Sequence, residues 1–89
     1  MTLSKEAIEA GIKAKIVEIA ARMGDDASDL TADEIIPATG YIDSTSLLEL
    51  LAWYEKNYEI TLKQEEITID NLGTLSAMAN FVLKRKGLA

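Results

Sequence analysis

The sequence predicts an all-α fold, a bundle of three main helices and one short helix with a long loop between helices 1 and 2. Apolar residues recur at helical spacing in three separate segments. Residues typical of helix starts and stops flank those segments. The one alternating stretch, residues 59–63, has no second strand to pair with. Because 89 residues suffice for one core, we expect a single domain over residues 1–89.

Helix 1 is predicted from about residue 4 to residue 23. Its apolar face repeats at intervals of three and four residues and consists of Ile8, Ile12, Ile16, Ile19 and Met23. Ser4 stands before this segment as a potential N-cap. Gly24, which two acids follow, indicates the C-terminal end of the helix.

A loop of about eighteen residues is expected after helix 1, which is long for a small domain. The segment through Pro37 and Gly40 contains many turn formers and no helical period, so we expect no regular element in it. Its own apolar residues should anchor it to the core. The candidates are Leu30, Ile35, Ile36 and Ile42.

Helix 2 is predicted from Ser44 to about Tyr58. Its inward stripe is formed by Leu47, Leu50, Leu51, Tyr54 and Tyr58. Thr45, Glu49 and Lys56 fall on the opposite side. Residues 59–63 are expected to form a loop in which Ile60 and Leu62 fill the core.

The rest of the chain is predicted to form the short helix and the last main helix. Residues 65–72 have room for only one or two turns. Thr74 is a potential N-cap for the last helix, which should end near Gly87. Its apolar stripe consists of Leu75, Met78, Ala79, Val82 and Leu83. The basic residues 84–86 suit the negative C-terminal end of a helix dipole.

The composition disfavours several classes of function. The chain has no Cys, which removes disulfides and cysteine chemistry, and no His, which removes the commonest general base and metal ligand. We therefore expect neither an enzyme nor a metal site. The net charge of −6 repels phosphate backbones and favours basic protein partners, so nucleic acid is not an expected ligand. Residues 25–34 hold five acids and no base, for which a solvated loop is the plainest explanation.

No segment predicts a membrane span or an export signal. The longest uninterrupted apolar run, residues 50–54, is far shorter than the ~20 residues that a span requires. The N-terminus has no basic stretch followed by an apolar block. We therefore expect a cytoplasmic protein, and a monomer, because no large apolar stripe is left over.

The dipeptide Asp43-Ser44 is the strongest candidate for chemistry. Asp and Ser are preferred at helix starts because they cap free backbone N–H groups, so capping alone is the plain interpretation. Ser44, however, is expected to face solvent, has no imidazole to activate it and lies beside the positive end of a helix dipole, where a phosphoester is favoured. Ser44 is thus a poor nucleophile and a good attachment point for a phosphate-linked group.

The run GYIDSTSLLELLAWYEKNYEITL resembles the phosphopantetheine attachment region of acyl carrier proteins. The positions that carry the resemblance are Gly40, Ile42, Asp43, Ser44, Glu49, Leu50, Glu55, Tyr58, Ile60 and Leu62. Thr74-Leu75 resembles the start of the last helix in that family, and Ile36 with residues 38–40 resembles its loop before the serine. The resemblance covers about residues 5–85. Thr45 departs from the pattern, since most members have Leu there, a side chain that partners read.

The resemblance implies an acyl-carrier-like four-helix bundle and a carrier function. Ser44 would receive 4′-phosphopantetheine from coenzyme A through a separate, magnesium-dependent phosphopantetheinyl transferase, and acyl groups would be carried on it as thioesters. A chain without Cys can take part in thioester chemistry only with an imported thiol. Asp43 would help the transferase and its metal to engage the site.

The family is active in fatty acid, polyketide and related biosynthesis, and the loading enzyme chooses the acyl or aminoacyl cargo. We expect a discrete carrier of the separate-enzyme type found in bacteria. A domain excised from a larger synthase is the alternative.

Helix 2 is the expected partner surface. The candidate contact residues are Thr45, Leu48, Glu49, Ala52, Trp53 and Glu55. An apolar centre with acids around it suits basic docking surfaces on the transferase and on acyl-loading and acyl-accepting enzymes. Packing at the edge of the core is the alternative for Leu48 and Trp53, and a plain solvated face is the alternative for Glu49 and Glu55. The resemblance also suggests that an acyl chain has space beside Leu47.

Two other functions stay open on the sequence alone. The chain could be a helical adaptor whose Ser44 is never modified, or an enzyme with a Ser or Tyr nucleophile and a Lys base. The adaptor predicts no gain in mass when coenzyme A and a transferase are supplied. The enzyme predicts turnover of a simple ester or thioester by the unmodified protein.

Overall fold

The computed structural model describes residues 4–88, which fold into helices joined by loops. The helices are α1 (Lys5–Arg22), α2 (Ile36–Thr39), α3 (Ser44–Tyr58), α4 (Ile69–Leu72) and α5 (Leu75–Arg85), with a 3₁₀ turn at Gln64–Glu66. No strand forms within the described residues, so the predicted all-α class is confirmed. The three predicted main helices are α1, α3 and α5. Residues 1–3 and 89 of the predicted domain lie outside the described part.

Side-chain caps set the starts of the three main helices. Ser4, Asp43 and Thr74 each accept a hydrogen bond from the backbone N–H three residues further on. The bond satisfies one of the backbone donors that a helix start leaves without an intrahelical partner. The bounds of α3 are those that the sequence predicts, and the ends of α1 differ from the predicted ones by one residue.

The core lies among the three main helices and is closed by the segments between them. Its large, fully buried side chains are Ile8, Ile12, Ile16, Ile19, Leu30, Ile36, Leu50, Tyr54, Met78 and Val82. The hydroxyl of Tyr54 donates a hydrogen bond of 2.7 Å to the backbone carbonyl of Met78 and so joins α3 to α5. Ile60 is buried and Leu62 is half-buried, which confirms that this connection fills the core.

The first loop is more regular than predicted. The turn of helix α2 lies within it, although the sequence led us to expect no element there. Pro37 is tolerated because it stands in the first turn, where a backbone N–H would have no helical partner. A single turn is too short to display a helical period. Together with the 3₁₀ turn and α4, the described residues contain three short helical segments instead of the predicted one.

Two apolar residues that were expected in the core are exposed. Met23 has a relative exposure of 43% because α1 ends at Arg22 and Met23 serves as its C-cap. Ile35 has an exposure of 44%, since Ile36 takes the buried position at the start of α2. The other predicted anchors of the loop, Leu30 and Ile42, are buried.

Gly40 turns the chain from α2 towards α3. Its φ is +80°, a left-handed conformation that glycine adopts without the strain other residues incur. A Cβ at this position would meet no atom, so the backbone conformation, and not the space, requires glycine. Two residues later Ile42 is buried, while Asp43 and Ser44 are exposed at the start of α3.

The end of α3 offers a stability prediction. Glu59 ends the helix at φ 54°, a conformation that costs a non-glycine residue about 1–2 kcal/mol. We expect Glu59→Gly to raise the free energy of unfolding by up to about 1 kcal/mol, because the greater freedom of glycine in the unfolded chain offsets part of the relief. Urea denaturation measures the change. Asn57→Gly, which lies within right-handed α3, is the control and should bring no gain; a loss of stability in both variants would contradict the prediction.

Candidate functional site

Ser44 is the first residue of α3, and its side chain is exposed. The Asp43 carboxylate makes the cap of the helix, so the cap does not use the serine hydroxyl. The positive end of the α3 dipole lies at this point. The chain has no histidine to act as a base for the hydroxyl. An anionic group attached to this hydroxyl would lie at the positive end of the helix dipole.

Asp43 is fixed by its bond to α3. The oxygen Oδ1 accepts a hydrogen bond of 2.7 Å from the backbone N–H of Ser46. This bond lowers the pKa of the Asp43 carboxyl below its ordinary value. Asp43, which directly precedes the exposed Ser44 in the chain, therefore carries a negative charge.

An apolar groove begins at Ser44. Its first part, about 320 Å³ in volume, is lined by Pro37, Ile42, Asp43, Ser44 and Leu47. Pro37 and Leu47 also line a second, smaller part of about 120 Å³ beside α4. The remaining walls of that second part are Leu51, Ile67, Thr68, Ile69, Leu72 and Gly73. The two parts adjoin at Pro37 and Leu47, and Ser44 lines the first of them.

Hydrogen bonds hold short helix α2 against Gly73, which lines the second part of the groove. The backbone N–H of Ile36 donates a hydrogen bond of 2.7 Å to the carbonyl of Gly73, in the turn between α4 and α5. Thr39 Oγ1 donates to the carbonyl of Ile36 at 2.6 Å and closes the single turn. These bonds position Pro37, which belongs to both parts of the groove.

The predicted partner surface of α3 is only partly a free surface. Thr45, Leu48 and Ala52 are exposed, with Leu48 at 69%. Trp53 is half-buried and packs against the core, and its ring meets the Tyr58 ring edge-on at 5.9 Å between centroids. Trp53 therefore takes the alternative that the sequence left open, packing at the edge of the core.

Glu55 contributes to the fold as well. Its Oε2 accepts a hydrogen bond of 2.8 Å from the backbone N–H of Leu62, in the connection after α3. Its side chain is half-buried. We expect a change to Lys at this position to lower stability, because it removes the acceptor for that N–H. Glu55 is thus a structural acceptor and not simply an acid on the rim of a docking surface.

Glu49 is exposed but engaged within the chain. Its carboxylate accepts a hydrogen bond from the Arg22 guanidinium at the end of α1. The Lys15 ammonium lies 3.8 Å from the same oxygen. The pKa of the Glu49 carboxyl is lowered, chiefly by the bond from Arg22. Arg22 and Lys15 cannot be recognised from the sequence as neighbours of Glu49, because nothing in the sequence indicates that this part of α1 lies beside α3.

The described part of the chain contains no helix with both the length and the apolar character needed to cross a membrane. The chain matches no protein family model, no curated protein and no solved structure.

Proposed function

We propose that this protein is an acyl carrier protein that holds acyl intermediates as thioesters on a 4′-phosphopantetheine arm attached to Ser44. The observation that carries the proposal is the exposed hydroxyl at the first position of α3, where the neighbouring Asp43 already supplies the helix cap. A phosphodiester at this hydroxyl would lie at the positive end of the helix dipole. The protein itself supplies no catalytic group; the transfer and the loading are the work of partner enzymes.

The groove beside Ser44 supports the proposal. A flexible arm on Ser44 begins where Ile42 and Leu47 already line apolar space. An apolar acyl chain that entered this space would be removed from water, which is favourable by about 0.8 kcal/mol for each buried methylene group. Leu51 and Leu72 extend the apolar walls towards α4. The fold would then be an acyl-carrier-like helical bundle, and the groove would bind the acyl chain.

The test is attachment of the arm. The purified apo-protein is incubated with coenzyme A, Mg²⁺ and a broad-specificity phosphopantetheinyl transferase, and its intact mass is measured. We expect a gain of one phosphopantetheine group, located on Ser44 by fragmentation of the peptide that contains it. An unchanged mass would overturn the carrier proposal and favour an unmodified helical adaptor.

Replacement of Asp43 separates capping from recognition. An Asn at this position can accept the same hydrogen bond from Ser46, because Asn and Asp are equally good N-caps, whereas an Ala cannot. We expect Asp43→Asn to keep the urea midpoint and Asp43→Ala to lower it. Both variants should be modified more slowly, by about tenfold or more, which is the usual loss when a hydrogen bond to a charged group is removed. Modification of Asp43→Asn at the wild-type rate would show that the carboxylate has no role in recognition.

Asp43→Asn is also expected to change how stability depends on pH. The pKa of Asp43 is lowered in the folded protein, so its contribution to stability is present above the ordinary carboxyl pKa and is lost as the pH falls through the lowered value. Asp43→Asn cannot titrate. Its stability should therefore fall less steeply than that of the wild type on acidification, as measured by urea denaturation at a series of acidic pH values.

A further inference from the structure

The end of α1 places two cations beside the outer face of α3. The Arg22 guanidinium donates a hydrogen bond to Oε2 of Glu49, across 27 residues of sequence. The Lys15 ammonium lies 3.8 Å from the same oxygen and donates a 2.9 Å bond to Oε2 of Glu18. Glu49 is thus the end of a short chain of ion pairs that begins on α1.

The pair of Arg22 and Glu49 is exposed, so it can open at little cost. The side chain of Arg22 is 55% exposed and that of Glu49 is 42% exposed. Ion pairs in this setting change an equilibrium constant by a factor of about five at most, because water screens the charges and two long side chains lose freedom. The fold does not depend on the pair in the way that it depends on the buried core. A competing cation can therefore take the place of Arg22.

Glu49 also stands at the centre of the free part of the α3 surface. Thr45 lies one turn before it and Ala52 about one turn after it, and both are exposed. Because Glu55 is bonded to Leu62, Glu49 is the acid of the predicted partner surface that a partner could engage without disturbing the core. A basic group that approaches this surface meets a carboxylate that is already paired.

We propose that Arg22 is a specificity-determining residue for docking: it pairs with Glu49 in the free protein, and a basic partner docks by displacing it. This inference rests on the proposed carrier function. The displacing group of the partner is a guanidinium in preference to an ammonium, because a planar guanidinium can form two parallel hydrogen bonds with a carboxylate and so compete with Arg22. A partner whose docking cation binds the Glu49 carboxylate less tightly than Arg22 does would therefore dock with lower affinity.

The experiment is a double-mutant cycle on docking to the phosphopantetheinyl transferase. The variants are Arg22→Gln, Glu49→Gln and the double variant, each compared with the wild type. Two quantities are measured: the KM for the carrier in the modification reaction, and the Kd for the transferase without coenzyme A. Lys84→Gln is the matched control, since Lys84 is exposed in the last turn of α5 and its replacement removes the same unit of charge.

We expect Arg22→Gln to lower KM and Kd by about two- to fivefold, which is the range set by an exposed ion pair, with kcat unchanged. Glu49→Gln should raise both quantities. In the Glu49→Gln background, the further change at Arg22 should have no effect, because the competition no longer exists. Lys84→Gln should leave KM close to that of the wild type.

Other outcomes would overturn the inference. An unchanged KM for Arg22→Gln would mean that the pair does not compete with docking, and a raised KM would mean that Arg22 itself contacts the partner. An equal decrease with and without Glu49 would indicate only a general effect of net charge. If wild-type Ser44 gained no phosphopantetheine at all, the carrier function would fail first; modification that is insensitive to Arg22 would overturn this inference alone.

Discussion

Ser44→Ala is expected to abolish attachment of phosphopantetheine and to leave the helical fold intact. The hydroxyl is the only part of the side chain that the proposed function uses, and it is exposed. The cap of α3 stays in place because Asp43 supplies it. Substitutions at such surface positions usually change stability by no more than about 0.5 kcal/mol. Intact mass after treatment with coenzyme A and transferase measures the loss, and urea denaturation measures the stability.

Ser46→Ala is the matched control. Ser46 lies two residues further along α3 and is half-buried, with its Oγ 4.0 Å from the Met23 sulfur. The substitution leaves its backbone N–H free to donate to Asp43. We expect this variant to be modified like the wild type. Equal labelling of Ser44→Ala and the wild type would place the modification on another residue and contradict the proposal.

Tyr54→Ala is expected to have the largest effect on stability. Tyr54 is fully buried, and its ring meets that of Tyr58 edge-on with 5.7 Å between centroids. Removal of a large buried aromatic side chain costs about 3–5 kcal/mol, which is a large share of the stability of a small domain. Urea denaturation, or loss of the helical circular dichroism signal at 25 °C, measures the effect. A variant as stable as the wild type would contradict the packing described for α3.

Tyr54→Phe separates the hydroxyl from the ring. It removes the bond to the Met78 carbonyl and keeps the packing, so we expect a loss of only about 0.5–1.5 kcal/mol. Burial raises the pKa of Tyr54 above its ordinary value. The contribution of its neutral hydroxyl to stability is therefore complete below the ordinary tyrosine pKa and is lost as the pH rises towards the folded-state value. Tyr54→Phe should weaken the loss of stability in alkaline solution.

The sequence predicts the main helices well because their signals are local. A cap and an apolar stripe lie within a few residues of each other, so Ser4, Asp43 and Thr74 and the stripes behind them mark the three helix starts correctly. Helix α2 cannot be predicted in this way, because a single turn shows no helical period. Proline is also common in loops, so Pro37 does not indicate a helix start by itself. The short helices depend on contacts with the rest of the chain, such as the bond from Ile36 to Gly73.

Some features of the candidate site also follow from local sequence, and others depend on distant segments. The exposed Ser44 and its capping neighbour follow from residues 43–46, which interact with each other. The roles of Glu49 and Glu55 do not follow from α3 alone, because their bonding partners, Arg22 and Leu62, lie on other segments. Helical periodicity can place a carboxylate on an outer face, but it cannot say which cation or N–H another segment brings to that face.

The bond between the Ile36 amide and the Gly73 carbonyl couples the two sides of the groove. Pro37, on one side, follows Ile36 directly, and Gly73 itself belongs to the other side. Under the proposed function, an acyl chain wide enough to push Pro37 away from Gly73 would have to lengthen this hydrogen bond. The bond would then limit the width of the cargo that the groove accepts.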